Sequence, residues 1–240
     1  MKTIRYVPVL LLFAALSSTR LGAALESLKF DPDDFMPSYP VTLLADGVTR
    51  GQAIIAVSVD ADGKLADTLV LGYTKPALAR SCLEALKAWR FTPAKLDGVA
   101  VASQVELTFD FALHGAVIST NILNHFFYDH FDHLGDGQFL YRIHGQSEID
   151  RAPVRINTVM PKYATAAEKQ GVRGRVSVRF YIDERGEVRM PAVSAGPDLN
   201  PYLIDAAVAA LREWRFEPVT SHGRPVLVAA SQEFNFSAGN

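Results

Sequence analysis

Five of the six histidines in the chain lie between residues 114 and 144, and this stretch holds the residues best suited to bind a metal ion. His125, Asp129 and His133 are spaced i, i+4 and i+8, so a helix would place them along one side. Imidazole and carboxylate groups in that arrangement can bind Zn²⁺. These three residues are the candidate metal ligands of the chain, and a metal-responsive module is one hypothesis for its function.

The same stretch has a second interpretation, which we favour. If residues 119–134 form a helix, its other side is apolar and consists of Ile118, Ile122, Phe126, Phe127 and Phe131. An amphipathic helix buries its apolar side against a neighbouring domain and leaves its polar side in water. We therefore expect a linker over residues 114–154 with one amphipathic helix, and no bound metal or other cofactor.

The sequence contains none of the common patterns of catalytic residues. It has no Gly-x-Ser-x-Gly elbow, no Gly-rich phosphate loop and no His-Glu-x-x-His pair. The single cysteine, Cys82, falls on the apolar side of a predicted helix, where a thiol packs as a small core residue. The formal net charge of −2 gives no reason to expect a nucleic-acid partner. We expect a protein that is not an enzyme and does not bind nucleic acid.

One block of residues occurs twice in the chain. Its two tryptophans, Trp89 and Trp214, lie 125 positions apart, and each is followed by Arg-Phe and then by a proline. Each block has the pattern of strand, strand, helix and strand. That order predicts an α+β fold of two tandem domains, each a small antiparallel sheet packed on a helix. We place the first copy at residues 37–113 and the second copy at residues 155–237.

Local patterns indicate where these elements lie. In the second copy, apolar and polar residues alternate from Val176 to Ile182, which is typical of a strand with one buried face. Asn200 followed by Pro201 is typical of a helix start, since asparagine caps well and proline loses nothing at the first helical position. A sheet of about three strands leaves an edge free to pair.

The ordered set of residues resembles the C-terminal domain of TonB energy transducers. In the first copy it is Tyr39-Pro40, Gly51, Asp62-Gly63, Trp89-Arg90-Phe91-Thr92-Pro93, Phe109 and Phe111. The second copy resembles the family over residues 210–218, but has Met160-Pro161 in place of the Tyr-Pro pair. The resemblance implies a periplasmic domain that binds a short extended segment of an outer-membrane receptor as an added strand. Envelope or outer-membrane receptor segments are therefore the expected partners.

The resemblance also implies which residues form the site. The added strand would lie along the last strand of a copy, and Tyr39 and Pro40 would help to hold it. The predicted edge residues are Ser103, Val105, Leu107 and Phe109 in the first copy, and Val228, Ala230, Gln232 and Phe234 in the second. A third hypothesis is structural, in which the copies pack edge to edge or form a homodimer and no peptide site remains.

The N-terminus has the order of a secretory signal peptide. Lys2 and Arg5 precede an apolar run over residues 7–16, and the small residues Gly22-Ala23-Ala24 follow. The run is shorter than the ~20 residues that cross a membrane. We expect residues 1–24 to be cleaved, in preference to an inner-membrane anchor, which gives a periplasmic protein without stable membrane insertion. Residues 25–36 are an acidic lead-in without regular structure in this interpretation.

Overall fold

The computed structural model of the chain describes residues 25–31, 35–96, 98–112, 115–122, 139–162, 172–193 and 200–237. The strands up to the end of the first copy are β1 (Leu25–Glu26), β2 (Lys29–Asp31), β3 (Arg50–Val59), β4 (Leu65–Tyr73), β5 (Arg90–Thr92), β6 (Ala94–Leu96), β7 (Val99–Val101) and β8 (Ser103–Ala112). The helices of this part are α1 (Val41–Ala45) and α2 (Pro76–Leu86).

The connecting residues contribute β9 (Gly115–Ile122), β10 (Tyr141–Arg142) and a 3₁₀ helix (Gln146–Glu148). The strands of the second copy are β11 (Arg155–Asn157), β12 (Gly174–Ile182), β13 (Val188–Val193), β14 (Arg215–Phe216), β15 (Thr220–Ser221), β16 (Arg224–Pro225) and β17 (Val228–Phe236), with helix α3 (Pro201–Arg212). Among the described residues, no helix has the length and apolar character needed to cross a membrane.

The predicted α+β class is confirmed, because each copy packs one face of an antiparallel sheet on a helix. The larger sheet has the order β10-β4-β3-β8-β9, and the sheet of the second copy has the order β13-β12-β17. Every second side chain of β3 from Ala53 to Val59 is fully buried in one core cluster, which also contains Leu78 of α2. Val178 and Leu211 meet in the same way between β12 and α3. The Asn200 side chain accepts a hydrogen bond from the Tyr202 backbone N–H at 3.0 Å, so the predicted helix cap is present.

Equivalent residues close the two cores in equivalent ways. The Trp89 indole donates a hydrogen bond to the Phe35 carbonyl at 2.9 Å, and the Trp214 indole donates one to the Val159 carbonyl at 2.9 Å. A tryptophan buried at the end of a helix supplies a large apolar area and still satisfies its N–H group. The duplicated tryptophans therefore fix the chain around Phe35, just before the first copy, and around Val159, near the start of the second copy, to the two cores.

The acidic lead-in is not irregular, which corrects our expectation for residues 25–36. β1 pairs with β6 and β2 pairs with β5, so the residues before the first copy belong to its fold. The ring of Phe30 stacks on Trp89, with ring centres 5.2 Å apart. This aromatic contact favours the strand, although acidic residues surround Phe30 in the sequence.

The linker prediction is wrong over its first part. Residues 119–122, which we expected to begin a helix, lie in β9, and β9 pairs with β8 in antiparallel register from Gly115 to Ile122. β-branched residues at Val117, Ile118 and Thr120 favour a strand over a helix. The remainder of the predicted helix lies outside the described residues, together with His125, Asp129 and His133.

The two copies pack against each other through the sheet faces that do not meet the helices. Ile54 and Leu71 of the first copy join Tyr181, Met190 and Leu227 of the second in one apolar cluster. Two polar contacts flank this cluster. The Tyr181 hydroxyl donates to Oε1 of Glu106 at 2.9 Å, and Nη2 of Arg189 lies 2.8 and 3.0 Å from the two carboxylate oxygens of Asp67.

Candidate functional site

The last strand of the first copy is not a free edge, contrary to the sequence prediction. β8 lies between β3 and β9, and its backbone pairs with both. The predicted edge residues Val105, Leu107 and Phe109 lie opposite β9 and have side chains buried in the core. Ser103 begins the strand and pairs with Val59 of β3. The linker folds back on β8 as a hairpin, so the chain itself occupies the edge that we expected a partner to use.

The last strand of the second copy has an open edge among the described residues. β17 pairs with β12 over nine consecutive residue pairs, from Val228 to Phe236. On its other side the described residues supply one isolated bridge, between His144 and Val228 at the start of the strand. The predicted edge residues Val228, Ala230, Gln232 and Phe234 all lie on this strand. The structure therefore places the second set, but not the first, at an edge.

The backbone groups that face the open side belong to the alternate residues. The Leu227 carbonyl accepts a hydrogen bond from the His144 N–H at 2.9 Å, so the backbone of Leu227 faces away from β12. Backbone direction alternates along an antiparallel strand, and the β12–β17 register has no shift. The exposed residues Ser231, Glu233 and Asn235 consequently direct their N–H and C=O groups to the open side. The side chains of Val228 and Phe234 pack in the core, so these residues position the strand.

A groove with a mixed polar and apolar lining runs beside the open edge. It has a volume of about 230 Å³, and its lining residues include Phe180, Trp214, Phe216 and residues 228–232. Its outer wall is the connecting segment, where Ile149 and Pro153 face it. A strand added to β17 would therefore lie next to a space that can take an apolar side chain.

The outer wall of the groove is tied to both copies. Arg142, whose strand β10 pairs with β4, binds the Glu148 carboxylate with two hydrogen bonds, one of them 2.8 Å from Nη1 to Oε2. These bonds lower the pKa of Glu148 to about 2. On the other side, the Ser221 hydroxyl donates to the Glu148 carbonyl at 2.6 Å. The Asp150 carboxylate accepts from the backbone N–H groups of the turn that joins β15 to β16.

A cation lies at the mouth of the groove. Arg155 of β11 is exposed, and its guanidinium carbon is 5.4 Å from the centre of the Trp214 ring. Arg155 pairs in register with Phe216 of β14. Our reading of the sequence missed this residue, although the repeat carries a signal for it: a phenylalanine, Phe30, occupies the equivalent register position in the first copy.

The predicted pair Tyr39 and Pro40 belongs to the packing of the first copy. The Tyr39 hydroxyl donates to the Val48 carbonyl at 2.8 Å, and its ring meets Phe111 edge-on. The Pro40 carbonyl accepts the N–H of Leu43 at the start of α1. These contacts account for both residues within the fold. Their role in holding a peptide stays a prediction.

Within the part of the chain that the structure describes, no three His, Cys, Asp or Glu side chains are grouped as metal ligands. The candidate ligands His125, Asp129 and His133 lie outside that part, so the metal hypothesis stays a prediction. Burial raises the pKa of the Cys82 thiol, which keeps this residue protonated and unreactive in the core.

Together these features define tandem α+β domains packed face to face, with a groove beside one open strand. A family model described as "Gram-negative bacterial TonB protein C-terminal" matches residues 36–113 and, separately, residues 159–238. The chain belongs to the TonB C-terminal family and contains two copies of its domain.

Two similar proteins illustrate the extent of the likeness. Protein TonB of Vibrio cholerae serotype O1 is 35% identical over 80 residues, which are 33% of this chain and 32% of that protein. The chain thus matches about a third of the length of this relative. The solution NMR structure of the Pseudomonas aeruginosa TonB CTD is 30% identical, covers 39% of this chain and 89% of that chain, and has a TM-score of 0.31.

Proposed function

We propose that the chain is a non-enzymatic adaptor of the bacterial cell envelope that captures an extended segment of a partner protein. The segment pairs with the open edge of β17 as an added strand. The observation that carries this proposal is the combination, in the second copy, of outward-facing backbone groups and an adjacent groove whose lining includes aromatic residues. The equivalent edge of the first copy is covered by β9.

Two kinds of contact contribute to strand addition, and they have different roles. Backbone hydrogen bonds supply affinity for any extended chain, and a neighbouring pocket selects side chains. Each such bond contributes a net ~1 kcal/mol, because the free peptide and the free edge both bond to water beforehand. The few outward residues of β17 therefore supply modest affinity, and contacts in the groove add to it.

Membership of the TonB C-terminal family supports the kind of partner. The Vibrio cholerae relative carries the name TonB, and the second match of the family model, over residues 159–238, includes β17. We propose segments of outer-membrane receptors or of other envelope proteins as partners, and the periplasm as the location. This location rests on the signal-peptide pattern of residues 1–24.

The test is isothermal titration of residues 25–240 with peptides from the N-termini of outer-membrane receptors. Ser231→Pro removes an outward N–H while leaving the β12 ladder intact, since proline is tolerated where the N–H of an edge strand faces solvent. Ser231→Ala is the matched control, because it keeps the N–H and loses the same hydroxyl. We expect binding by the wild type and by Ser231→Ala, and its loss in Ser231→Pro. Equal binding by both variants would contradict strand addition at β17.

The structural hypothesis makes a different prediction from the same edge. If β17 of two chains pair with each other, light scattering will show a dimer for the wild type and a monomer for Ser231→Pro. A monomeric wild type that binds peptide through Ser231 decides for the adaptor.

A further inference from the structure

The two copies place different side chains over the same tryptophan. In the first copy Phe30 lies opposite Phe91 in the β2–β5 pair, and its ring stacks on Trp89 with an interplanar angle of 14°. In the second copy Arg155 lies opposite Phe216 in the β11–β14 pair, over Trp214. An apolar ring covers the first tryptophan, whereas a guanidinium lies over the second.

Arg155 is available to a ligand. No carboxylate of the described residues forms an ion pair with it, whereas its neighbour Arg151 is paired with Glu217. The stacking on Trp214 is a cation–π contact, which restrains the long side chain and leaves the edge of the guanidinium free to donate hydrogen bonds. A restrained cation loses less conformational entropy when it binds an anion.

We propose that the groove beside β17 selects an extended peptide that carries a carboxylate next to an apolar side chain, and that Arg155 is the residue that selects the carboxylate. The inference rests on the proposed function. The rings of Phe180 and Phe216 receive the apolar side chain. The planar guanidinium binds the carboxylate with two parallel hydrogen bonds.

The experiment is a selection from a phage-displayed library of random decapeptides against residues 25–240. The wild type is compared with Arg155→Gln, Arg155→Phe and Ser231→Pro. Arg155→Phe copies the arrangement of Phe30 in the first copy, so it keeps the fold, which thermal unfolding checks. We expect the wild-type pool to be enriched in Asp or Glu beside an apolar residue, and both Arg155 variants to lose the acidic enrichment.

Titration of one selected peptide then measures the effect. Replacing its acidic residue by the amide should weaken binding to the wild type about tenfold, which is the size of a charge-assisted hydrogen bond at a partly exposed site. The same replacement should leave binding to Arg155→Gln unchanged.

The outcomes separate the inference from the proposed function. Two outcomes would overturn the role of Arg155 and leave strand addition standing. In the first, the selected peptides depend on Ser231 but are not enriched in acidic residues. In the second, the acidic enrichment is the same with Arg155→Gln. A wild type that selects no peptides, or the same peptides as Ser231→Pro, overturns both. A wild-type dimer that Ser231→Pro dissociates identifies a second copy of the chain as the occupant and also overturns both.

Discussion

In the first copy, β8 has β3 on one side and β9 on the other, and Phe30 covers Trp89. In the second copy, β17 has β12 on one side and a groove on the other, and Arg155 lies over Trp214. The helix, the tryptophan and the buried strand residues are nonetheless equivalent in both. The copies have kept the residues that make the fold and differ in the segments that reach the edge of the sheet.

The largest expected effect is a loss of stability on removing the buried tryptophan, which both copies share. Trp89→Ala and Trp214→Ala should each lower the free energy of unfolding by about 3–5 kcal/mol, because each removes a buried indole and leaves a cavity. Urea unfolding followed by circular dichroism measures this loss, and fluorescence of the remaining tryptophan reports whether the other copy unfolds with it. Phenylalanine at either position is the milder control. Trp214→Ala with unchanged stability would show that the two cores are not equivalent.

The second prediction concerns the interface between the copies. Burial raises the pKa of the Glu106 carboxyl to about 7, against the hydrogen bond from Tyr181 and the nearby charge of Arg179, which lower it. A raised pKa means that the folded protein holds this proton more tightly. The contribution of Glu106 to the free energy of unfolding is therefore largest below the ordinary Glu pKa of 4.5. It is lost as the pH rises to about 7, which lowers the free energy of unfolding by up to about 3 kcal/mol.

The measurement is urea unfolding from pH 5 to pH 8 for the wild type and Glu106→Gln. Burial also lowers the pKa of His144, which makes stability rise with pH in part of this range. His144 is present in both proteins, so the difference between them isolates Glu106. A difference that does not change with pH would place the Glu106 carboxyl in water.

The third prediction sharpens the contrast between the edges. Amide hydrogen exchange should be slow along β8 from Val105 to Ala112, where β9 pairs with it. It should alternate along β17, with Ser231 and Glu233 at least about tenfold faster than Gln232. Ile118→Pro, in the middle of β9, should uncover β8 and give it an alternating pattern as well. Uniformly slow exchange along wild-type β17 would mean that its edge is covered in solution.

The smallest effect is expected from zinc. We expect equimolar Zn²⁺ to leave the melting temperature unchanged, since residues 119–122 lie in β9 and not in the helix that would carry His125, Asp129 and His133 along one side. A rise that disappears in the double variant His125→Ala with His133→Ala would support the metal-responsive alternative instead.

The sequence predicted those parts of the fold that depend on local patterns. The alternation around Val178, the Asn200 cap and the duplicated tryptophans predicted the strands, the helices and the fold class. It did not predict the pairing of β9 with β8: the prediction followed the apolar side of a helix through Ile118 and Ile122, although the β-branched residues of this stretch favour a strand. Which strand pairs with which depends on contacts between distant residues, and the packing of Tyr181 against Leu71 depends on the relative orientation of the copies.

The candidate site was predicted in part for the same reason. β17 lies at the end of its sheet, where a free edge was expected. Its even-numbered residues were proposed as the site, whereas the open backbone groups belong to Ser231 and its alternate neighbours; the role of β17 in binding a peptide stays a prediction. Arg155 was missed because a single exposed arginine carries no periodic signal. Only the comparison with Phe30, through the register of each pair, shows that its position is unusual.

The segment from Tyr141 to Asp150 has a consequence for how the chain can be divided. It pairs with a strand of the first copy, forms the wall of the groove in the second, and precedes the residue at which the second repeat begins. A fragment cut at the repeat boundary would keep β17 and lose the wall and its anchor on β4. The unit that was duplicated is therefore smaller than the unit that presents the groove, and the first copy serves the second as a fixed support.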